Sequence, residues 1–208
     1  LRELIAQIRA HREEAITDHG HVLALAAASA SFSPVAALNH RWEGLHGLQA
    51  LKVLDDALDK PTALQNFAAR LERLRDRLCA MPRQLLVVSE AERQDSIAQA
   101  LAARWRDGER SSAAPFVLAK PQSQAPRLGF RANTQVNFCA KAYPAVPPNH
   151  PDAPALQILG DFLRNGYLHR AIREQGGAYG GGAGYHPDSG SFRFYSYRDP
   201  RLAETLAD

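Results

Sequence analysis

The chain has 208 residues, 45% of them apolar and 23% charged, with 14 Gly, 13 Pro and two Cys. This ordinary globular composition excludes fibrous and broadly disordered classes, and no run approaches the roughly 18 apolar residues of a membrane helix, so the chain reads as soluble with no membrane partner. Twenty-five Lys+Arg against 22 Asp+Glu give a net charge of +3 spread along the chain, and without a basic block nucleic acid is not implied as a partner.

The opening residues are already in helical period, with Leu4, Ile5, Ile8 and Ile16 apolar and no N-cap before them. Asp18-His19-Gly20 reads as a turn, and residues 21–33 alternate weakly among small and apolar side chains up to Pro34, which predicts a strand. Residues 38–58 predict one or two helices, with Trp42 opening a stripe that Leu45, Leu48, Leu51 and Leu54 continue. Leu64, Phe67, Leu71, Leu74 and Leu78 mark the clearest amphipathic helix, stopped by Pro82. Residues 85–88 predict a short buried strand, and Ser89 begins the turn and cap of a helix over residues 91–105. From Asp107 to Arg131 the composition turns to Ser, Ala, Pro, Gln and Arg, punctuated by Gly108, Pro115, Pro121 and Pro126, which predicts a linker and a domain boundary.

Residues 134–143 alternate Val136, Phe138, Ala140 and Ala142 against Gln135, Asn137, Cys139 and Lys141, the pattern of a half-buried strand. A Pro-rich loop leads into a helix from near Asp152, apolar at Leu156, Leu159, Leu163 and Ile172, which Gly176-Gly177 ends. Residues 178–185 and 191–197 predict a hairpin across His186-Pro187-Asp188-Ser189-Gly190. Asp199-Pro200 reads as the N-cap and first residue of another helix with only residues 201–208 after it, so both ends look cut and a longer parent protein is expected. Helices and strands interleave without regular alternation, so the expected class is α+β, with antiparallel or mixed sheets packed against helices.

Candidate chemistry begins with metal. His11-Arg12-Glu13-Glu14-Ala15 and His40-Arg41-Trp42-Glu43-Gly44 each approach the inverted zinc-protease motif H-x-x-E-H and lack its second His. That motif needs two imidazoles one helical turn apart, with the Glu acting on zinc-bound water. His40 and His46, six apart on one helix, would face nearly opposite ways, so no metal site is expected in this chain. Cys79 and Cys139 exclude a disulfide scaffold and a four-cysteine zinc module and favour a reducing compartment. An Ala- and Arg-rich chain of this kind fits a bacterial cytoplasm.

The glycine-rich run over residues 176–184 leaves a helix and enters a strand, the reverse of a phosphate-binding loop, and its spacing fits neither nucleotide motif. It reads either as a cap with a close-packed strand, or as a strand stripped of side chains so that an extended peptide can lie against it. Arg173 and Tyr179 bracket the junction. Each has an ordinary structural use, as a dipole partner and a half-core ring; together they could supply a cation and a phenol to a polarised carbonyl.

The segment 165–183, with its run IREQGGAYGGGA, followed by Phe194-Tyr195-Ser196-Tyr197-Arg198-Asp199-Pro200, closely resembles the C-terminal half of the presequence proteases, members of the insulinase and pitrilysin superfamily of zinc metallopeptidases. Asp18-His19-Gly20-His21, Glu43-Gly44-Leu45 and Leu51-Lys52 to Leu54 continue the resemblance collinearly. It implies four homologous α+β domains in two halves that close around an unfolded peptide. Residues 1–107 would be the later part of the third insulinase-type domain, 108–130 a linker, and 131–208 the first part of the fourth. Zinc would be held by the N-terminal half of the same polypeptide, and this half would contribute Arg173 and Tyr179, reaching the scissile carbonyl and its tetrahedral oxyanion, with Gly180, Gly181 and Gly182 beside the substrate. The expected activity of the parent is ATP-independent endoproteolysis of unstructured peptides, the isolated piece being inactive. The rivals are a non-catalytic structural or peptide-binding member of the same fold and, on the net basic charge alone, a nucleic-acid-binding domain.

Overall fold

The structure, a computed structural model, describes residues 1–81, 86–104, 117–119 and 127–208. They form two compact units, Leu1–Ala57 with Leu118–Asp208, and Leu58–Val117. Packing thus joins both ends of the chain across the expected linker. The reason is that the first helix lies on strands of the last third of the sequence. The linker expected over 108–130 falls mainly outside the described residues.

In the first unit α1 spans Arg2–Ser29, α2 Pro34–Trp42 and α3 Leu45–Ala57. The strand expected over 21–33 is instead the second half of α1. Residues 22–28, Val-Leu-Ala-Leu-Ala-Ala-Ala, are dominated by Ala and Leu, the strongest helix formers, and that propensity outweighs a weak alternation. The turn at residues 18–20 survives only as a kink, with His19 at φ −120°, ψ 18° inside the helix. Ser33 caps α2, its Oγ accepting from the Ala36 N–H at 3.3 Å, with Pro34 in the first turn. Arg2 and Arg9 of α1 both bond Asp55 of α3, Arg9 at 3.0 Å, and Asp55 is buried. Lys52 and Arg9 share Glu13 at 3.0 and 3.1 Å and hold its carboxyl below the usual range.

Strands β1 (Ala140–Pro144), β2 (Gly180–His186) and β3 (Ser191–Tyr197) make one antiparallel sheet in the order β1-β3-β2. The class is therefore α+β, as the element pattern predicted. Only the second half of the strand expected over 134–143 forms; before it Asn137 makes an isolated bridge to Asp199. The hairpin turn runs through Pro187–Ser189 and closes on Gly190 at φ 56°. Between β1 and β2 come α6 (Ala153–Leu163), continuous with a π-helix over Arg164–Gln175, and after β3 a short α7 (Ala203–Ala207). Asp199-Pro200 does not start that helix: Asp199 is fully buried and its Oδ1 accepts from the Arg201 N–H at 2.9 Å, a local turn that delays the helix to Ala203.

The two faces of the sheet differ. Phe192 and Phe194 pack with Leu156 and Leu163 of α6, Ala183 and Tyr185, while Leu168 and Ile172 of the π-helix extend the cluster over Ala178. Tyr195 and Tyr197, alternating with them on β3, turn to α1, where the His21 ring lies 5.2 and 5.0 Å from theirs.

In the second unit α4 spans Pro61–Ala80 and α5 Ala91–Arg104. Both were predicted, although Pro82 and Trp105 lie outside the described residues. Leu86 and Val88 are exposed and outside any strand, so the run expected as a buried strand does not form one over its described part; Leu85 falls outside it. Such a short apolar run carries no periodicity to separate strand from other structure.

Candidate functional site

The π-helix bonds i to i+5 rather than i to i+4, a rare winding that recurs at functional sites. It ends at Gln175, where the Gly177 N–H donates to Arg173 O at 3.0 Å and the Ala178 N–H to Ile172 O at 3.1 Å. Gly177 takes φ 78°, the left-handed cap that a Cβ-bearing residue resists, and the chain reverses there into β2. Burying Ile172 and Ala178 on either side of the reversal leaves Arg173 and Tyr179 outside, Tyr179 as a residue 68% exposed.

The two proposed site residues are brought together. Arg173 Cζ stands 5.9 Å from the centre of the Tyr179 ring, within cation–π range. The Tyr197 ring meets Tyr179 edge-on at 5.8 Å. On β2, Gly180 lies opposite Tyr197 and Gly182 opposite Tyr195. A Cβ on Gly180 would meet nothing within 4 Å, one on Gly181 would press Ile172 at 2.8 Å, and one on Gly182 would touch the Tyr195 ring at 3.0 Å. Side chains are thus excluded by packing at Gly181 and crowded at Gly182, and absent over open space at Gly180. Among the described residues β2 pairs with β3 alone, so its other edge is free of strand partners.

Chemically this junction offers guanidinium N–H groups and a phenol O–H to an oxygen acceptor, next to a strand edge able to take a further strand. Sequence reasoning missed Tyr197 and Arg198. The alternation of Phe194, Tyr195, Ser196 and Tyr197 opposite a glycine strand was the available signal, because a ring lies naturally over the bare backbone across from it.

The described residues contain no group of three His, Cys, Asp or Glu side chains placed to hold a metal, so these residues do not fit a zinc centre. The premise about His40 and His46 was wrong. His40 and His46 do not share a helix; the break at Glu43-Gly44 folds α3 back, and their rings approach to 4.3 Å, with Phe130 at 6.3 and 6.5 Å. His40 is buried with neither ring nitrogen hydrogen-bonded, and burial together with His46 pushes its pKa down. Cys139 is buried too, and desolvation raises its pKa, the state of an inert thiol. No helix among the described residues is long and apolar enough to cross a membrane.

Residues 129–208 match the family model described as the PreP C-terminal domain, and residues 1–54 match one described as associated with peptidases of family M16, subfamily C. The chain is 31% identical over 218 residues to the mitochondrial presequence protease of Yarrowia lipolytica, covering 99% of this chain and 21% of that protein. It is 27% identical over 224 residues to the Saccharomyces cerevisiae protein (99% and 22%) and 30% identical over 238 residues to that of Xenopus tropicalis (100% and 23%). The chain thus spans about a fifth of the length of the relatives it matches. These relatives are named as mitochondrial, which overturns the expectation of a bacterial cytoplasm. The cysteine argument separates oxidising from reducing surroundings and could not tell one reducing compartment from another. With both ends matched to models of one group and similarity running from end to end, the chain belongs to the presequence-protease branch of the M16 peptidase family.

Proposed function

We propose that this chain is the part of a zinc metalloendopeptidase that holds an unstructured peptide against the catalytic centre and stabilises the oxygen of the scissile carbonyl. The observation that carries the reading is the exposed pairing of Arg173 with Tyr179, 5.9 Å from guanidinium carbon to ring centre, at the mouth of the glycine strand. A tetrahedral intermediate puts negative charge on one oxygen, and donors fixed in advance around it lower the barrier. The guanidinium supplies charge and directed N–H groups, the phenol an O–H. Gly180, Gly181 and Gly182 keep side chains off the strand, so that the substrate backbone can come close and pair along the free edge of β2.

In this reading residues 1–107 are the later part of the third insulinase-type domain, 108–130 a linker and 131–208 the first part of the fourth. Zinc is held by the N-terminal half of the same polypeptide, which is this chain's partner in the closed enzyme. The parent cleaves unfolded peptides without ATP.

The test is Arg173→Ala and Tyr179→Phe in the full-length protein. Both side chains are exposed, so stability should move by no more than about 0.5 kcal/mol, while kcat on an unstructured peptide should fall roughly 10- to 1000-fold. Unchanged turnover in both variants removes the pair from the chemistry and leaves the fold as a peptide-binding or structural one.

A further inference from the structure

Among the described residues Arg198 alone, glycines aside, has a left-handed backbone, with φ 49°. A Cβ-bearing residue stays there only where its surroundings over-determine it, and such residues gather at functional sites. Three contacts do so. The Arg198 carbonyl accepts from the backbone N–H of Tyr179 at 3.3 Å. Its guanidinium donates to Asp18 Oδ1 of α1 at 3.0 Å. The same guanidinium stands 5.4 Å from the centre of the Tyr197 ring, which itself meets Tyr179 edge-on. Arg198, Tyr197, Tyr179 and Arg173 therefore form one continuous run of cation–ring and ring–ring contacts.

We infer that Arg198 is a positioning residue for Tyr179, setting the direction of the phenol through the Tyr197 ring and the course of its main chain through the Arg198 carbonyl. This rests on the reading of Tyr179 as a substrate contact. A tyrosine exposed to this degree has no core to fix its rotamer, and a donor lowers a barrier only if it is aimed before the charge develops. The ion pair with Asp18 is itself largely solvated, 42% and 63% exposed, and pairs of that kind contribute little to stability. Its effect is directional: it anchors the guanidinium between α1 and the Tyr197 ring.

The decisive variant is Arg198→Gly in the full-length protein. Glycine permits the same left-handed backbone, keeps the carbonyl and removes the guanidinium together with the rest of the side chain. Turnover of an internally quenched, unstructured peptide should fall about 3- to 30-fold, less than the hundredfold that a 1 Å misplacement can cost. KM should stay within about twofold and the unfolding midpoint should hold or rise, a split that a merely structural role would not produce. Combined with Tyr179→Phe it should add no further loss, since no phenol is left to aim. If Tyr179→Phe loses activity while Arg198→Gly keeps full turnover, or if the two losses multiply in the double variant, the inference is overturned and the site reading stands. Full turnover in Tyr179→Phe overturns the inference, and the site reading falls with it only if Arg173→Ala keeps full turnover as well.

Discussion

Gly160 sits where α6 presses on the glycine strand. A Cβ there would stand 2.8 Å from Gly184 Cα, 2.9 Å from Ala183 O and 3.3 Å from Ala183 C. Unbonded carbons settle at about 3.5 to 4.0 Å, so Gly160→Ala demands at least about 0.7 Å of extra separation. The atoms met are main chain, held within the sheet by the pairing of β2 with β3, and no rotamer can absorb the overlap. The helix must lift, loosening Leu156 and Leu163 from Ala183, Tyr185, Phe192 and Phe194. Overpacking costs roughly 1 to 3 kcal/mol, and a backbone clash belongs near 3. Helix propensity returns about 1 kcal/mol for Gly to Ala, which leaves a net loss of about 2 kcal/mol. With a urea m-value near 2 kcal/mol/M the midpoint should fall by about 1 M. Gly166→Ala in the π-helix is the control. Nothing lies within 4 Å of its Cβ, so only propensity acts and the midpoint should rise, by up to about 1 kcal/mol of stability. Urea unfolding followed by far-ultraviolet circular dichroism reads both signs. A Gly160→Ala chain as stable as the parent would refute close approach as the reason for that glycine.

His40 is buried without a partner and its pKa is pushed below the ordinary value near 6.5. The unfolded chain therefore takes up the proton first, so the stability this neutral imidazole contributes is full above about pH 6.5 and drains away as pH falls through the folded value. His21 and His186, both pushed down mainly by burial, act with the same sign. Urea midpoints at pH 7.5 and 5.5 should drop for the wild-type chain and drop less for His40→Phe; equal drops would show that His40 stays neutral in both states or charged in both. The chain purified alone should carry no stoichiometric zinc and cleave no peptide, and tightly held zinc by elemental analysis would contradict the proposed division of labour.

Legibility along the sequence followed the strength of the local signal. The amphipathic stripe of α4 and the β3 strand over 191–197 were plain because period alone specifies them, whereas the Ser33 cap and Pro34 that start α2 were hidden by reading residues 21–33 as a strand. Residues 22–28 misled because alternation between Ala and larger apolar residues is nearly free of information, and propensity decides. The same confusion misplaced His40 and His46. A stripe of Leu at spacing three runs through Leu45, Leu48, Leu51 and Leu54, but the break that brings the two imidazoles to 4.3 Å, tilted at 46°, depends on Gly44, whose Cβ would stand 2.5 Å from His40 Nδ1. That is a tertiary fact with no periodic trace.

The candidate site divides along a similar line. Arg173 and Tyr179 could be singled out because a helix stop, a left-handed glycine and a strand start fall within seven residues, and the side chains flanking such a reversal must emerge close together. Tyr197 and Arg198 reach the same place through strand pairing, Gly180 opposite Tyr197, and Asp18 through an ion pair 180 positions away in sequence. Register can be guessed from a hairpin, but the positive φ at Arg198 cannot, since nothing in Tyr197-Arg198-Asp199 names the residue that will carry the strain. What local sequence specifies here is the pair of donors; the contacts that run from Tyr179 to Arg198 are supplied by the fold, through a residue whose own backbone resists the position it holds.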